Sequence, residues 1–242
     1  MNKKAIIMGA SSGIGNEVAR LLLSRGWTLG VAARRTAPLE QLAREWPGKV
    51  KSAAIDANAD EAGARLLALI EDLGGADLYL HVSGVGWQNM SLEAGKELAT
   101  VETNALGFAR LVGEAYRYFA RTGGGHIAVV SSVAGTKGLG AAPAYSASKA
   151  FDAVYVQALE QQAHMRGLDI RFTDIRPGFV KTDLLGGKPY PMLMDKRRAA
   201  ALIVNAIDAQ RHVAVIDARW RLLTALWRRV PRWLWRRMKV GG

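Results

Sequence analysis

Lys4-Ala5-Ile6-Ile7-Met8-Gly9-Ala10-Ser11-Ser12-Gly13-Ile14-Gly15 is the stretch whose reading decides the fold. Its first five residues form a short, mostly apolar run suited to a buried strand. A glycine-rich turn follows, and then Val18, Ala19, Leu22 and Leu23 recur at helical spacing. Strand, glycine turn and helix together make the setting in which a dinucleotide pyrophosphate sits on a helix N-terminus. The glycines let the backbone approach, and unpaired N–H groups point at the anion. The spacing of Gly9, Gly13 and Gly15 is Gly-x-x-x-Gly-x-Gly, which differs from the commoner dinucleotide fingerprint. Strands and helices alternate beyond it, so the expected fold is α/β: a doubly wound, Rossmann-type parallel sheet with helices on both faces.

The 242 residues suffice for one such domain with a sizeable core. With no cysteine, the chain has no disulfide, no thiol catalysis and no cysteine-ligated metal, and no metal-binding cluster is evident. Lys3 and Lys4 before an apolar run mimic a signal peptide, but about five residues are too few, and no stretch approaches the ~20 apolar residues of a spanning helix. The formal charge of +12 is uneven: residues 218–242 hold eight basic residues and no acid, leaving +4 for residues 1–217. The chain therefore divides into a dinucleotide-binding domain, 1–217, and a basic tail, 218–242.

Tyr145-Ser146-Ala147-Ser148-Lys149 lies in a helical run from Ala144 through Ala163. A spacing of four puts phenol and ammonium on one helical face. A nearby cation favours phenolate over phenol, which fits a tyrosine for general acid and base work on a carbonyl or alcohol. Alone, the pair is a weak signal and reads first as an ordinary amphipathic helix. Combined in this order with the glycine turn, the sequence resembles the short-chain dehydrogenase/reductase family over roughly residues 3–217.

The resemblance implies an oxidoreductase that transfers a hydride between a nicotinamide cofactor and a carbonyl or alcohol. It implies Ser132 as the residue orienting the substrate oxygen, because the family interval of 13 to the tyrosine is met by Ser132 and not Ser131. Tyr145 would be the proton donor, and Lys149 would tune it and hold the nicotinamide ribose. Asn104, in a helical segment from about Glu93 to Phe119, would maintain a water relay. The cofactor would be met by Gly9, Ser11, Ser12, Gly13, Ile14 and Gly15, by Asp56 and Ala57 at the adenine, by Gly84, and by Pro177, Gly178, Val180 and Thr182 at the nicotinamide. Asp56 reads equally as the cap of a helix starting near Asp60. Where relatives show Asn-Asn-Ala-Gly, this chain has His81-Val82-Ser83-Gly84, and His81 reads as a packed histidine.

Arg34-Arg35 end the second strand, and no acid lies between Thr28 and Leu39. Arginine there accommodates a 2′-phosphate, so NADP(H) is expected in preference to NAD, with Arg34 the better candidate. Two solvated arginines beginning a loop are the alternative. Leu184 to Met194, with glycine hinges and an apolar tip, reads as a loop closing over an apolar substrate or as simple packing.

In the tail, Trp220, Leu223, Leu226, Trp227, Val230 and Leu234 share one helical side, with Arg221, Arg228, Arg229, Arg232 and Arg236 opposite. Pro231 should kink this helix or start a second one. Two readings lead, peripheral contact with an anionic membrane and packing on a partner subunit. A nucleic-acid patch is a third, and nucleic acid is not carried forward as a partner. A homodimer or homotetramer is expected, in the cytoplasm, with peripheral contact at the inner membrane surface as one of the tail's two leading readings. A catalytically silent nucleotide sensor or assembly module of the same fold is the alternative function.

Overall fold

A computed structural model describes residues 3–186 and 190–240. Seven strands form one sheet: β1 (Lys4–Met8), β2 (Thr28–Ala33), β3 (Val50–Ala54), β4 (Leu78–His81), β5 (Gly125–Val130), β6 (Ile170–Pro177) and β7 (Val213–Ile216). Their order is β3-β2-β1-β4-β5-β6-β7, and every neighbouring pair is parallel. The period of two splits each strand between two cores. Ala5 and Ile7 pack with α1 (Gly13–Ser24), α2 (Ala37–Glu45) and α7 (Lys196–Asp208). Ile6 and Met8 pack with α3 (Ala62–Asp72), α5 (Phe108–Thr122) and α6 (Pro143–Met165). Strand order reverses between β1 and β4, which places a crevice at the carboxyl ends of these two strands.

Two details differ from the sequence reading. The segment expected to be one long helix is α4 (Ala94–Val101), a π-helical stretch (Glu102–Gly107) and then α5. The wide turn coincides with Asn104, whose carboxamide is bonded outside the helix, and with Gly107, where a Cβ would stand 2.9 Å from Ala57. Asp56 does not cap α3. Its Oδ1 accepts from the Asn58 N–H at 3.1 Å, an Asx turn that ends β3, and the N-cap of α3 is Glu61.

In the tail, α8 (Ala218–Trp227) is capped by Asp217, whose Oδ1 accepts from the Arg219 N–H at 3.0 Å. Pro231 starts a second helix, α9 (Arg232–Trp235). The tail's apolar side does not face outward as a unit. Trp220 is buried, Trp227 donates to Thr136 Oγ1 at 2.7 Å, and Trp235 donates to the Gly138 carbonyl at 2.8 Å. Leu222, Leu226 and Trp233 remain exposed. No helix among the described residues is long and apolar enough to cross a membrane.

Candidate active site

The glycine turn closes the crevice from the β1 side. Gly9 has φ +96°, and a Cβ there would lie 2.6 Å from the Ser83 nitrogen, so only glycine fits between the β1 and β4 ends. α1 begins with no side-chain cap and no acid in its first turn, which leaves its N–H dipole open to an anion. Thr182 approaches the same turn: its Cγ2 would lie 3.3 Å from a Cβ on Gly13. At the end of β2 both Arg34 and Arg35 are exposed, and it is Arg35 that reaches the turn, donating to Ser12 Oγ at 3.1 Å. Asp56 is exposed. Ala57 is buried, and its carbonyl accepts from Arg110 at 2.8 Å.

α6 carries the second half of the site. Pro143 stands in its first turn, and Glu97 from α4 accepts from the Ala144 N–H at 3.1 Å, a cap supplied by another helix. Glu97 is held in turn by the buried Asn89 amide at 2.8 Å. The Tyr145 ring lies against the 84–86 loop so closely that a Cβ on Gly86 would stand 2.4 Å from it. Lys149 is buried, and its Nζ donates to Asp152 Oδ2 at 2.8 Å and to the Val130 carbonyl at 3.2 Å. The ammonium sits beneath Gly84, whose Cβ would be 3.6 Å from Nζ and 3.3 Å from Asn104 Oδ1. Burial works to lower the pKa of Lys149, but the charge and hydrogen bond of Asp152, together with the charges of Tyr145 and Asp174, outweigh it, so the lysine lies above its ordinary value.

Asn104 is a clamp: Oδ1 accepts from the Val85 N–H at 2.8 Å, and Nδ2 donates to the Val85 carbonyl at 2.7 Å and to Ser148 Oγ at 3.2 Å. The two serines after β5 separate as the strand period predicts. Ser131 donates to the buried Asp174, which also pairs with Arg176. Ser132 accepts from the Ala134 N–H at 3.1 Å and donates to the Pro177 carbonyl at 3.5 Å, which ties it to the end of β6. His81 is packed, as expected. Its Nδ1 bonds the Tyr79 hydroxyl at 2.8 Å, it meets the Phe108 ring edge-on at 5.0 Å, and burial pushes its pKa down to about 3.

Beyond Pro177 the wall becomes aromatic. A Cβ on Gly178 would fall 2.1 Å from the Trp220 indole, so the tail's first tryptophan occupies the space that a side chain at 178 would need. Phe179 stacks on Tyr190 at 4.3 Å and meets Trp220 edge-on at 5.4 Å. Trp220 Nε1 donates to the Met192 carbonyl at 3.4 Å. Val180 is buried and bridges to Met194. Of the loop read as a lid, Gly187, Lys188 and Pro189 lie outside the described residues; Leu184 and Leu193 are exposed.

The sequence and the fold that carry this site are similar to those of known proteins. The short chain dehydrogenase family matches residues 3–189. The chain belongs to the short-chain dehydrogenase family. It is 33% identical over 228 residues to an oxidoreductase of Myxococcus xanthus, covering 91% of this chain and 88% of that one. A short-chain dehydrogenase from Burkholderia cenocepacia, solved in complex with NADP, superposes with a TM-score of 0.84 at 18% identity, covering 100% of this chain and 98% of that one. An alcohol dehydrogenase from Thermococcus sibiricus, solved with 5-hydroxy-NADP, gives a TM-score of 0.77 at 25% identity over 89% of this chain and 95% of that one. This dehydrogenase is accordingly an NAD(P)-dependent oxidoreductase.

Sequence reasoning missed Asn89, Glu97, Asp152 and Trp220. Only Asp152 left a signal, an acid three residues after Lys149 and so on its helical face.

Proposed function

We propose that this dehydrogenase moves a hydride between NADP(H) and a small carbonyl or alcohol with an apolar body. The observation that carries the reading is the buried Lys149 ammonium beneath Gly84, in the same crevice as the glycine turn and one helical turn from Tyr145. A nicotinamide cofactor supplies the hydride when bound. The residues fit that group: the uncapped α1 terminus and its glycines suit the pyrophosphate, Arg34 and Arg35 a 2′-phosphate, Asp56 and Ala57 the adenine, and Pro177, Gly178, Val180 and Thr182 the nicotinamide side. Ser132 orients the substrate oxygen, Tyr145 delivers a proton to it or removes one, and Lys149 holds the ribose and tunes the phenol. Asn104 fixes the Val85 loop over the lysine and supports a water relay behind it. Phe179, Tyr190, Leu184 and Leu193 favour an apolar substrate body.

The test is a cofactor-oxidation screen of ketones, sugars and acyl thioesters with NADPH and NADH. Turnover of at least one class with NADPH, at a kcat/KM about tenfold or more above NADH, supports the reading. A guanidinium–phosphate contact is charge-assisted and directional, so Arg34→Ala and Arg35→Ala should each narrow that ratio. Equal kcat/KM with both cofactors refutes the phosphate assignment. NADPH binding with no turnover of any class favours the sensor reading.

Exposed Leu98, Val101, Leu106, Phe151 and Val154 on α4, the π stretch and α6 suit a homo-oligomer contact. A second reading concerns residues 218–242. Arg228, Arg232, Arg236 and Lys239 line a groove of about 1240 Å³ with Met90, Leu139 and Met238. These cations, with exposed Leu222 and Trp233, favour peripheral contact with anionic lipid. Co-sedimentation with anionic vesicles that is lost on removing residues 218–242 tests it.

A further inference from the structure

Lys149 is 5% exposed, and Asp152, three residues on, is fully buried beside it. The spacing sets Tyr145, Lys149 and Asp152 along one face of α6. Among the described residues the Asp152 carboxylate has one hydrogen bond, from Lys149 Nζ at 2.8 Å through Oδ2, and Oδ1 has no partner. A carboxylate so placed is not a node in a wider network. Removing it would leave the ammonium with only the Val130 carbonyl, at 3.2 Å, as a hydrogen-bond acceptor. A buried ammonium without a counter-charge sheds its proton readily, because low dielectric disfavours the charged form.

We propose that Asp152 is a positioning residue for the catalytic lysine: its buried carboxylate anchors Lys149 Nζ against the end of β5 and keeps it an ammonium where ribose and phenol meet it. The proposal rests on the reading of Tyr145 and Lys149 as the working pair, and it adds the group that holds their charge in place. Of the other titratable groups around Lys149, Tyr145 and Asp174 also favour its charged form, but neither accepts a hydrogen bond from Nζ. On α6 there is Tyr145 itself. From β4 comes His81, which burial holds neutral. From β6 comes Asp174, already paired with Arg176 and Ser131. From α4 comes Glu97, engaged by Ala144 and Asn89. The pair itself carries the mark of the strain: burial raises the Asp152 pKa to about 6 even though the lysine opposes that shift.

The decisive experiment does not need a substrate. In protein labelled with 15N-lysine, the Nζ signal of Lys149, assigned by its loss in Lys149→Arg, is followed from about pH 6 to about pH 10.5. In Asp152→Asn the ammonium should be lost at a pH lower than in wild type by about one unit or more. Asp152→Ser, smaller and equally uncharged, is run beside it in case the asparagine does not fold. NADPH affinity should then fall between pH 7 and pH 9 in the variants but hold in wild type, and any kcat/KM profile should lose its high-pH limb early. Coincident Nζ titrations in wild type and a folded variant overturn the proposal, since loss of packing alone would not move them. Failure of wild type to bind NADPH would instead strike the functional reading and leave the lysine titration standing.

Discussion

Two walls meet at Pro177-Gly178 and are made in opposite ways. In the polar wall, Ser132, Tyr145, Lys149 and Asn104, three of the side chains are held by hydrogen bonds to backbone: Ser132 to Pro177, Lys149 to Val130 and Asn104 to both polar groups of Val85. The aromatic wall, Phe179, Tyr190, Trp220 and Trp227, is held by ring contacts from 4.3 to 6.4 Å, by the Trp220 indole donating to the Met192 carbonyl and by the Trp227 indole donating to the Thr136 hydroxyl. Directional bonds fix where a proton goes, whereas aromatic faces exclude water and shape a volume. The difference assigns chemistry to the first wall and substrate shape with stability to the second, and each assignment can be broken separately.

The largest effect belongs to the polar wall. Tyr145→Phe removes the proposed proton donor and leaves the ring against Gly86. Turnover should fall by about 10³-fold, roughly 4 kcal/mol in the barrier, while NADPH binding stays within a few-fold and thermal stability is unchanged. Steady-state kinetics beside fluorescence binding measures both, and near wild-type kcat in a folded Tyr145→Phe protein would end the assignment. The mirror experiment is Trp220→Ala. It empties the space over Gly178 and should destabilise the fold by about 3 kcal/mol, as large-to-small changes at buried aromatics do. It should raise KM more than it lowers kcat. A variant with unchanged unfolding midpoint and KM would show that the tail leans on the body without supporting it.

The two walls also differ in how much of them was legible. The glycine turn and the Tyr145–Lys149 spacing are local patterns, so their geometry follows from a few consecutive residues and the known period of a helix or strand, whereas Ser132 is reached only through the interval that the family resemblance implies. Arg34 and Arg35 could be placed at a strand end, but not which of them would turn toward Ser12, because that depends on rotamers of exposed side chains. The cap on α6 comes from Glu97, 47 residues upstream, and the partner of Trp227 is Thr136, 91 residues away. Neither distance leaves a trace in a periodic pattern. The helical wheel groups Trp220 and Trp227 with Leu226 and Leu234, but it could not say that the two tryptophans would be satisfied by their own chain while the two leucines stay exposed. Asp152 shares a helical face with Lys149 in the sequence, but only the tertiary packing of α6 shows that this face is buried.

The smallest effect separates the walls by pH. His81 and His126 are buried and neutral, and burial pushes them down to about 3 and about 4. Unfolded histidine takes up a proton near pH ~6.5, so below that the unfolded chain binds more protons than the folded one at both positions. Their contribution to stability is therefore complete above pH ~6.5 and lost as the pH falls toward their folded values. Asp152 works the other way: raised to about 6 from an ordinary value near ~3.8, it binds its proton earlier in the folded state and so adds stability as the pH falls through that window. One histidine is thus offset. The net slope between about pH 4 and pH 6 should be that of a single group, about 1.4 kcal/mol per pH unit. His81→Asn removes one of the two losses and should flatten this limb to near zero, whereas Asp152→Asn removes the offset and should steepen it. Trp220→Ala carries no titrating group and should lower the curve by the same amount at every pH. Urea unfolding from about pH 4.5 to pH 7 on the four proteins measures all of this. A Trp220→Ala deficit that grew on acidification, or a His81→Asn limb as steep as wild type, would mean that the two walls unfold as one coupled unit and that the division drawn between them is wrong.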